Sequence, residues 1–334
     1  KTYAGSWRHR ATKNFRRLVH GPALLLSALD RRAIMLKRGG SSAFGQASES
    51  GHWSRPGGGE ILNWLDHPYV NAMVNESVSG HPDRNWVDHF LSTRGAAGIT
   101  RALNLGCGFG DLEAHVLGRA PGCSFVSVDV SEAACSAAAG RLRGLDVVVR
   151  RADLNAAELE AGGYGAVFAS SSLHHLRRLE HVLDQVERSL IDGGLFVFNE
   201  YVGPSNFQWG EAQLEVVNEL LAALPRRYRR NHRSVIFTKD RVYPRPLDGT
   251  SLDSPEEAAR SGEIMGLVED RFDIVERRDY GGTVLHPLLE GIAGNFDPAD
   301  EKDCEALRKF RELETALIGS GALVSDFVYV VARK

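Results

Sequence analysis

Three glycines at alternate positions, Gly106, Gly108 and Gly110, separate the apolar run Ala102-Leu103-Asn104-Leu105 from Asp111-Leu112-Glu113. Glycine lets the backbone reverse sharply and approach a ligand with no Cβ in the way. The spacing is not that of a dinucleotide turn. The sixth position from Gly106 is Asp111 and from Gly108 is Glu113, where that turn needs glycine. An acid at the mouth repels a pyrophosphate and tolerates a cationic ligand. Asp129 follows Gly106 by 23 residues, close to the offset at which an acid accepts from ribose hydroxyls. Asp153, further on, is suited to accept from an adenine amino group. His174 and His175 follow the run that ends at Ser170, and an imidazole titrates near neutral pH, as a general base should.

The elements that would position these residues alternate between strand and helix. Apolar runs at 99–105, 125–130, 147–149, 166–169 and 195–198 read as strands, with helical patterns at 112–117, 132–142 and 179–190 between them. Two more strands are expected at 272–277 and 327–332. The pattern predicts an α/β fold: a Rossmann-like, doubly wound, mostly parallel seven-stranded sheet. Ligands of such sheets bind beyond the carboxyl ends of the strands. The long insertions 202–271 and 281–322 leave those ends and are expected to act as lids. The domain reading is a basic helical arm and Gly/Ser-rich linker over 1–60, a helical cap over 61–98, and a catalytic domain over 99–334.

With these motifs in order, the chain resembles a class I S-adenosylmethionine-dependent methyltransferase of the generic methyltransferase-domain family. The resemblance is strongest over residues 99–200. It implies S-adenosylmethionine as cofactor and an antiparallel last strand. The implied cofactor residues are Asn104, Gly106, Cys107, Gly108, Gly110, Asp129, Asp153, Leu154 and Ser170. One position departs from the family: an acid usually stands two residues before the first glycine, and here it is Asn104. Asparagine keeps a carbonyl acceptor for an ammonium group but lacks the charge.

The acceptor is read by elimination. Ala169-Ser170-Ser171-Ser172 lacks the signature of amino-directed base methyltransferases. No Pro-Cys nucleophile follows the fourth strand, and no paired acids end it as a catechol-type metal site would require. Metal-independent O-methylation of a small molecule or glycan is expected, with no metal and no DNA partner. His174, His175, His286 and Glu200 are the catalytic candidates. Tyr201, Tyr280, Glu290 and Asn295 are the substrate-binding candidates. The run Arg226-Arg227-Tyr228-Arg229-Arg230 fits an anionic acceptor, or RNA through its tyrosine. RNA or protein methylation, and a non-catalytic cofactor-binding module, are the competing readings.

The chain has 334 residues, 43% apolar and 25% charged, an ordinary globular composition. Its net charge of −3 conceals an asymmetry: residues 1–40 carry ten Lys/Arg and one acid, +9, against −12 for the rest. That excludes a uniformly basic nucleic-acid binder. The basic arm suits an anionic membrane surface or a protein partner. Four cysteines without metal spacing suggest a reducing compartment, and the expected location is cytoplasmic or membrane-peripheral. The chain begins at Lys1 rather than Met, so an upstream start is expected.

Overall fold

The computed structural model describes residues 61–94, 99–233, 238–248 and 256–334. The basic arm and linker expected over 1–60 lie outside the described residues. Seven strands form one sheet: β1 (Arg101–Leu105), β2 (Ser124–Asp129), β3 (Val147–Arg151), β4 (Tyr164–Ser170), β5 (Leu190–Tyr201), β6 (Asp273–Gly281) and β7 (Phe327–Arg333). Their order is β3-β2-β1-β4-β5-β7-β6. All neighbours pair in parallel except β7, which runs antiparallel to both β5 and β6. The predicted doubly wound sheet with an antiparallel last strand is therefore the observed one.

Alternation along the strands explains why both faces are covered. Ala102, Phe168, Val197, Tyr329 and Val331 point into one apolar layer. Leu103, Leu105, Val167, Phe198, Val328 and Val330 point into the other. A strand with apolar residues on both faces must be buried on both, and helices supply the cover. Helix α5 (Leu179–Ser189) presents Leu179, Val182, Leu183 and Val186 at helical spacing to the second layer. The others are α1 (Pro68–Ser79), α2 (Trp86–Arg94), α3 (Asp111–Leu117), α4 (Glu132–Arg141), α6 (Glu211–Ala223), α7 (Ile264–Glu269), α8 (Leu285–Leu289) and α9 (Glu301–Gly319). Helix α9 buries Leu307, Phe310, Leu313 and Leu317 in the first layer. Asp300 caps it by accepting from the Lys302 N–H at 2.8 Å.

Strands β5 and β6 end at the same edge, because Tyr201 and Gly281 both lie opposite Phe327. Both insertions start from this edge. The second is anchored by Glu314 of α9, which is fully buried. Its Oε1 accepts from the N–H groups of Val284 and Leu285 at 2.7 and 3.0 Å, and its Oε2 from Arg311 Nη1 at 2.6 Å. Removing one partner of a buried ion pair leaves the other charge uncompensated, at a cost of about 3–5 kcal/mol. Glu314→Ala should therefore lower the unfolding free energy by about that amount, read as a fall in the urea midpoint with an unchanged slope. A midpoint within error of the parent would show that α9 does not anchor the insertion.

Candidate active site

The glycine turn is held from both sides. The N–H groups of Gly106 and Cys107 donate to the Val128 carbonyl at 2.8 and 3.1 Å, tying the end of β1 to the end of β2. All three glycines have positive φ: 72° at Gly106, 52° at Gly108 and 79° at Gly110. A Cβ on Gly106 would lie 2.5 Å from the Ser172 Cβ, so the post-β4 segment packs directly on the turn. A Cβ on Gly108 would meet nothing within 4 Å. The turn thus opens into space at Gly108. Asp129 borders that space: its Oδ2 accepts from the Gly108 N–H at 2.9 Å and its Oδ1 from the Ser131 N–H at 2.8 Å. Each carboxylate oxygen keeps a second lone pair for a ribose hydroxyl. Asp153 sits at the end of the next strand, where its Oδ1 accepts from the backbone and side chain of Asn155, both at 2.9 Å. Cys107 packs with Ala138 and Leu142, and Leu154 joins the layer containing Leu103. Ser170 is half-buried at the end of β4.

Asn104 behaves differently from an exposed ligand group. It is buried, and its Nδ2 donates to Glu113 Oε1 at 2.8 Å, which also accepts from the Ser127 hydroxyl at 2.5 Å. A carboxylate thus stands beside position 104, contributed by Glu113 of α3. Burial pushes the Glu113 carboxyl above its usual range, while the Ser127 and Asn104 hydrogen bonds pull it back. Asn104 Oδ1 is buried with no hydrogen-bond partner among the described residues, an acceptor left over at the root of the turn.

The post-β4 turn, Leu173–His175, is organised by Glu200 near the end of β5. Glu200 is fully buried. Its Oε2 accepts from the N–H groups of Ser172 and Leu173 at 2.8 and 2.7 Å, and its Oε1 from the Tyr201 N–H at 2.8 Å and from His174 Nδ1. Four donors engage this carboxylate: three backbone N–H groups and the His174 imidazole. On its other side, His174 Nε2 lies 3.3 Å from Glu257 Oε1, and His175 Nδ1 lies 3.4 Å from Glu257 Oε2. Burial works against a charged His174, yet Glu200 and Glu257 together push it up to about 10. Glu257 was missed from the sequence. It lies in the 202–271 insertion, with no periodic pattern or motif to mark it.

Tyr201 lies between the two histidine environments. Its ring centroid is 6.3 Å from that of His174 and 6.0 Å from that of His286. His286 is surrounded by Phe327 at 5.3 Å, Phe207 at 5.8 Å, and Trp64 and Trp209 both at 6.1 Å. Its Nδ1 is buried with no hydrogen-bond partner among the described residues. Desolvation pushes the imidazole down to about 3, with Lys239 and Arg233 adding to the effect and Glu257 opposing it. His286 is therefore neutral at physiological pH.

The remaining candidates are Tyr280, Glu290 and Asn295. Tyr280 is buried against Phe327. Glu290 pairs with Arg233. Asn295 Nδ2 donates to the carbonyls of Tyr228 and Arg230 at 3.0 and 2.7 Å, while its Oδ1 meets His232 Nε2 at 2.9 Å. Glu290 and Asn295 thus pin the segment around 226–233. In that segment Tyr228 turns inward, stacking on Phe296 and donating to Asp303, so it presents no ring to RNA. Arg229 pairs with Asp240 at 2.6 Å, so the basic run is partly neutralised by its own surroundings.

His286 also gives a pH signature. Its folded value near 3 lies below the ordinary 6.5. Between those limits the unfolded chain binds a proton that the folded chain does not, so this residue's contribution to stability falls as pH drops through the window. His286→Phe, which suits the aromatic surroundings, should remove that slope. Urea unfolding between pH 7.5 and 4.5 should show the variant gaining on the parent as pH falls; parallel curves would refute the neutral, desolvated assignment.

Residues 103–196 match the methyltransferase-domain family. Uncharacterized methyltransferases of Mycobacterium tuberculosis and Mycobacterium bovis are 28% identical over 118 residues, which is 35% of this chain and 59% of theirs. The chain thus spans less than two thirds of the curated relatives it matches. An S-adenosylmethionine-dependent methyltransferase from Mesorhizobium loti aligns at 18% identity over 71% of this chain and 91% of its own, with a TM-score of 0.41. The O-methyltransferase of a polyketide synthase multienzyme of Brevibacillus brevis aligns at 11% identity over 80% and 71%, with a TM-score of 0.45.

The residues present fit S-adenosylmethionine. Open space at Gly108, a ribose-suited carboxylate at Asp129 and a leftover acceptor at Asn104 line one edge. Asp129→Ala should weaken S-adenosylmethionine and S-adenosylhomocysteine alike by more than about tenfold, a loss of at least about 1.4 kcal/mol. Calorimetric titration giving unchanged affinity would remove Asp129 from the site. The glycine turn and the strand-end acids fall within 103–196, the segment that matches a methyltransferase domain.

Proposed function

We propose that the protein transfers the methyl group of S-adenosylmethionine to a hydroxyl oxygen of a small, largely apolar acceptor, with His286 accepting the proton. The observation that carries this reading is the aromatic enclosure of a neutral imidazole beside the end of β5. The rings come from three parts of the chain: Trp64 from the helical cap, Phe207 and Trp209 from the first insertion, and Phe327 from the start of β7. His286 itself belongs to the second insertion. The two insertions are read accordingly as walls of the acceptor pocket. Aromatic faces take apolar or sugar rings and exclude water.

The cofactor, when bound, supplies an electrophilic methyl group on a positively charged sulfur. The glycine turn and Asp129 hold its ribose end, and the enclosure orients the acceptor oxygen. Attack by a hydroxyl produces a protonated ether, a far stronger acid than imidazolium, so even a weakly basic neutral imidazole removes the proton downhill. His286 Nδ1, buried and unpartnered, gains in the acceptor hydroxyl the hydrogen-bond partner it lacks. His174 is poorly placed for the same task, since a carboxylate faces each of its ring nitrogens. The proton step therefore needs no metal.

The test is incubation of the purified protein with isotopically methyl-labelled cofactor and a panel of phenols, aliphatic alcohols, hydroxy acids and sugars, followed by mass spectrometry. O-methylated product is expected, and His286→Ala should cut turnover by about 10²–10⁴-fold with cofactor affinity retained. Label appearing only in RNA or protein, or tight cofactor binding with no product from any acceptor or cell extract, would overturn the reading in favour of a macromolecular methyltransferase or a regulatory binding module.

A further inference from the structure

Beside the aromatic enclosure lies a cluster that the proton step above does not use. His174 and His175 are consecutive, their rings 4.2 Å apart, and both turn a nitrogen towards the same carboxylate, Glu257. One donor atom from each of the three lies within 4.8 Å of the others. The Nε2–Oε1 and Nδ1–Oε2 separations are 3.3 and 3.4 Å. A four-coordinate ion with bonds of about 2.0–2.1 Å sets neighbouring ligand atoms about 3.3–3.4 Å apart. Each imidazole nitrogen therefore stands at ligand spacing from one oxygen of the shared carboxylate, and all three donors fall within 4.8 Å of one another.

We propose that His174 Nε2, His175 Nδ1 and Glu257 form a binding site for a first-row divalent transition-metal cation. Three further features support it. Glu200 engages His174 Nδ1, the arrangement that fixes a ligating histidine's tautomer and turns its other nitrogen to the ion. Glu257 is held from its backbone: its carbonyl accepts from Arg245 Nη1 at 2.8 Å, and the next residue, Ala258, carries a φ of 55° and accepts from the Asn206 N–H. A non-glycine residue in the left-handed region persists only where its surroundings enforce it. Arg260, just beyond, is locked to Glu180 through two 2.7 Å contacts and to Glu263 at 2.6 Å. The site is also reachable, because the side chains of His175 and Glu257 are 41% and 28% exposed.

Two imidazoles and one carboxylate form a donor set suited to zinc, cobalt, iron or manganese rather than to calcium or magnesium, which prefer oxygen. Three protein ligands leave a coordination position open for water or an acceptor oxygen. Cation binding here does not depend on the methyl-transfer reading, and the ion is not the proton acceptor in it.

The test uses the full chain, free of affinity tags, stripped with chelator and titrated with cobalt(II). One cobalt per chain, with the visible d–d absorption of a four- or five-coordinate nitrogen–oxygen site, is the expected result. His175→Ala and Glu257→Gln should each weaken binding by more than about tenfold at an unchanged melting temperature. Glu200→Gln should weaken it by about 10–100-fold, the range usual for a partner behind a ligand. His286→Ala should bind cobalt normally, which separates this site from the proton acceptor. No saturable binding of cobalt, zinc or manganese, or undiminished binding in the folded His175→Ala/Glu257→Gln double variant, would overturn the proposal.

Discussion

The edge where the chemistry would occur depends on one buried carboxylate. Glu200 stands near the end of β5, excluded from solvent, and the backbone of the adjacent post-β4 turn closes on it. A carboxyl group in such a place is tolerable only if its oxygens are matched by hydrogen-bond donors. Three backbone N–H groups and the His174 imidazole meet that demand, and in doing so they fix the geometry of the turn. The turn in turn presses Ser172 against Gly106, where only glycine leaves room, and the Ser172 hydroxyl donates to the Leu105 carbonyl at 2.7 Å. The cofactor turn, the histidine pair and the end of β5 thus form one connected unit.

The same device recurs at two other points. Glu314 gathers the start of α8 and fixes the segment that carries His286. Glu113 gathers Asn104 and Ser127 beneath the glycine turn. In each case a side chain that costs free energy to bury is kept because several hydrogen-bond donors converge on it. A buried acid with converging donors specifies an arrangement more sharply than apolar packing, since small displacements leave a polar group unpaired. Three acids therefore position the three features that would bind the cofactor, the acceptor and the histidines.

Much of the fold could be read from the sequence because it rests on local regularities. Strands buried on both faces appear as continuous apolar runs, and the turn announces itself through Gly106, Gly108 and Gly110. The places of Asp129 and Asp153 are legible because strand ends in a parallel sheet fall on one edge. The roles of Glu113, Glu200 and Glu257 were harder to see. An acid's role is set by what packs around it, and Glu113 in a helix or Glu257 in an aperiodic segment looks like any solvated residue until the tertiary contacts are known. Glu290 and Asn295 illustrate the converse. Glycines and polar residues beside them suggested a substrate loop, yet their hydrogen bonds fasten the segment around 226–233.

The histidines on either side of Tyr201 show how one fold edge separates two kinds of chemistry. His174 sits between two carboxylates and is driven towards the charged form, whereas His286 sits among aromatic rings and is driven away from it. The two carboxylates beside His174 attract positive charge, so they hold a proton on its ring or, once that proton has left, a metal ion against it. A histidine kept neutral in an apolar enclosure has a free lone pair, and a hydroxyl entering that enclosure finds few competing water molecules. Glu257 acts on both, 3.3 Å from His174 and through space on His286, where it opposes the desolvation that keeps the ring neutral. A cation on Glu257 would cancel that opposing charge. It would hold His286 still more firmly in the neutral form that accepts a proton, linking the two sites through the field of a single carboxylate.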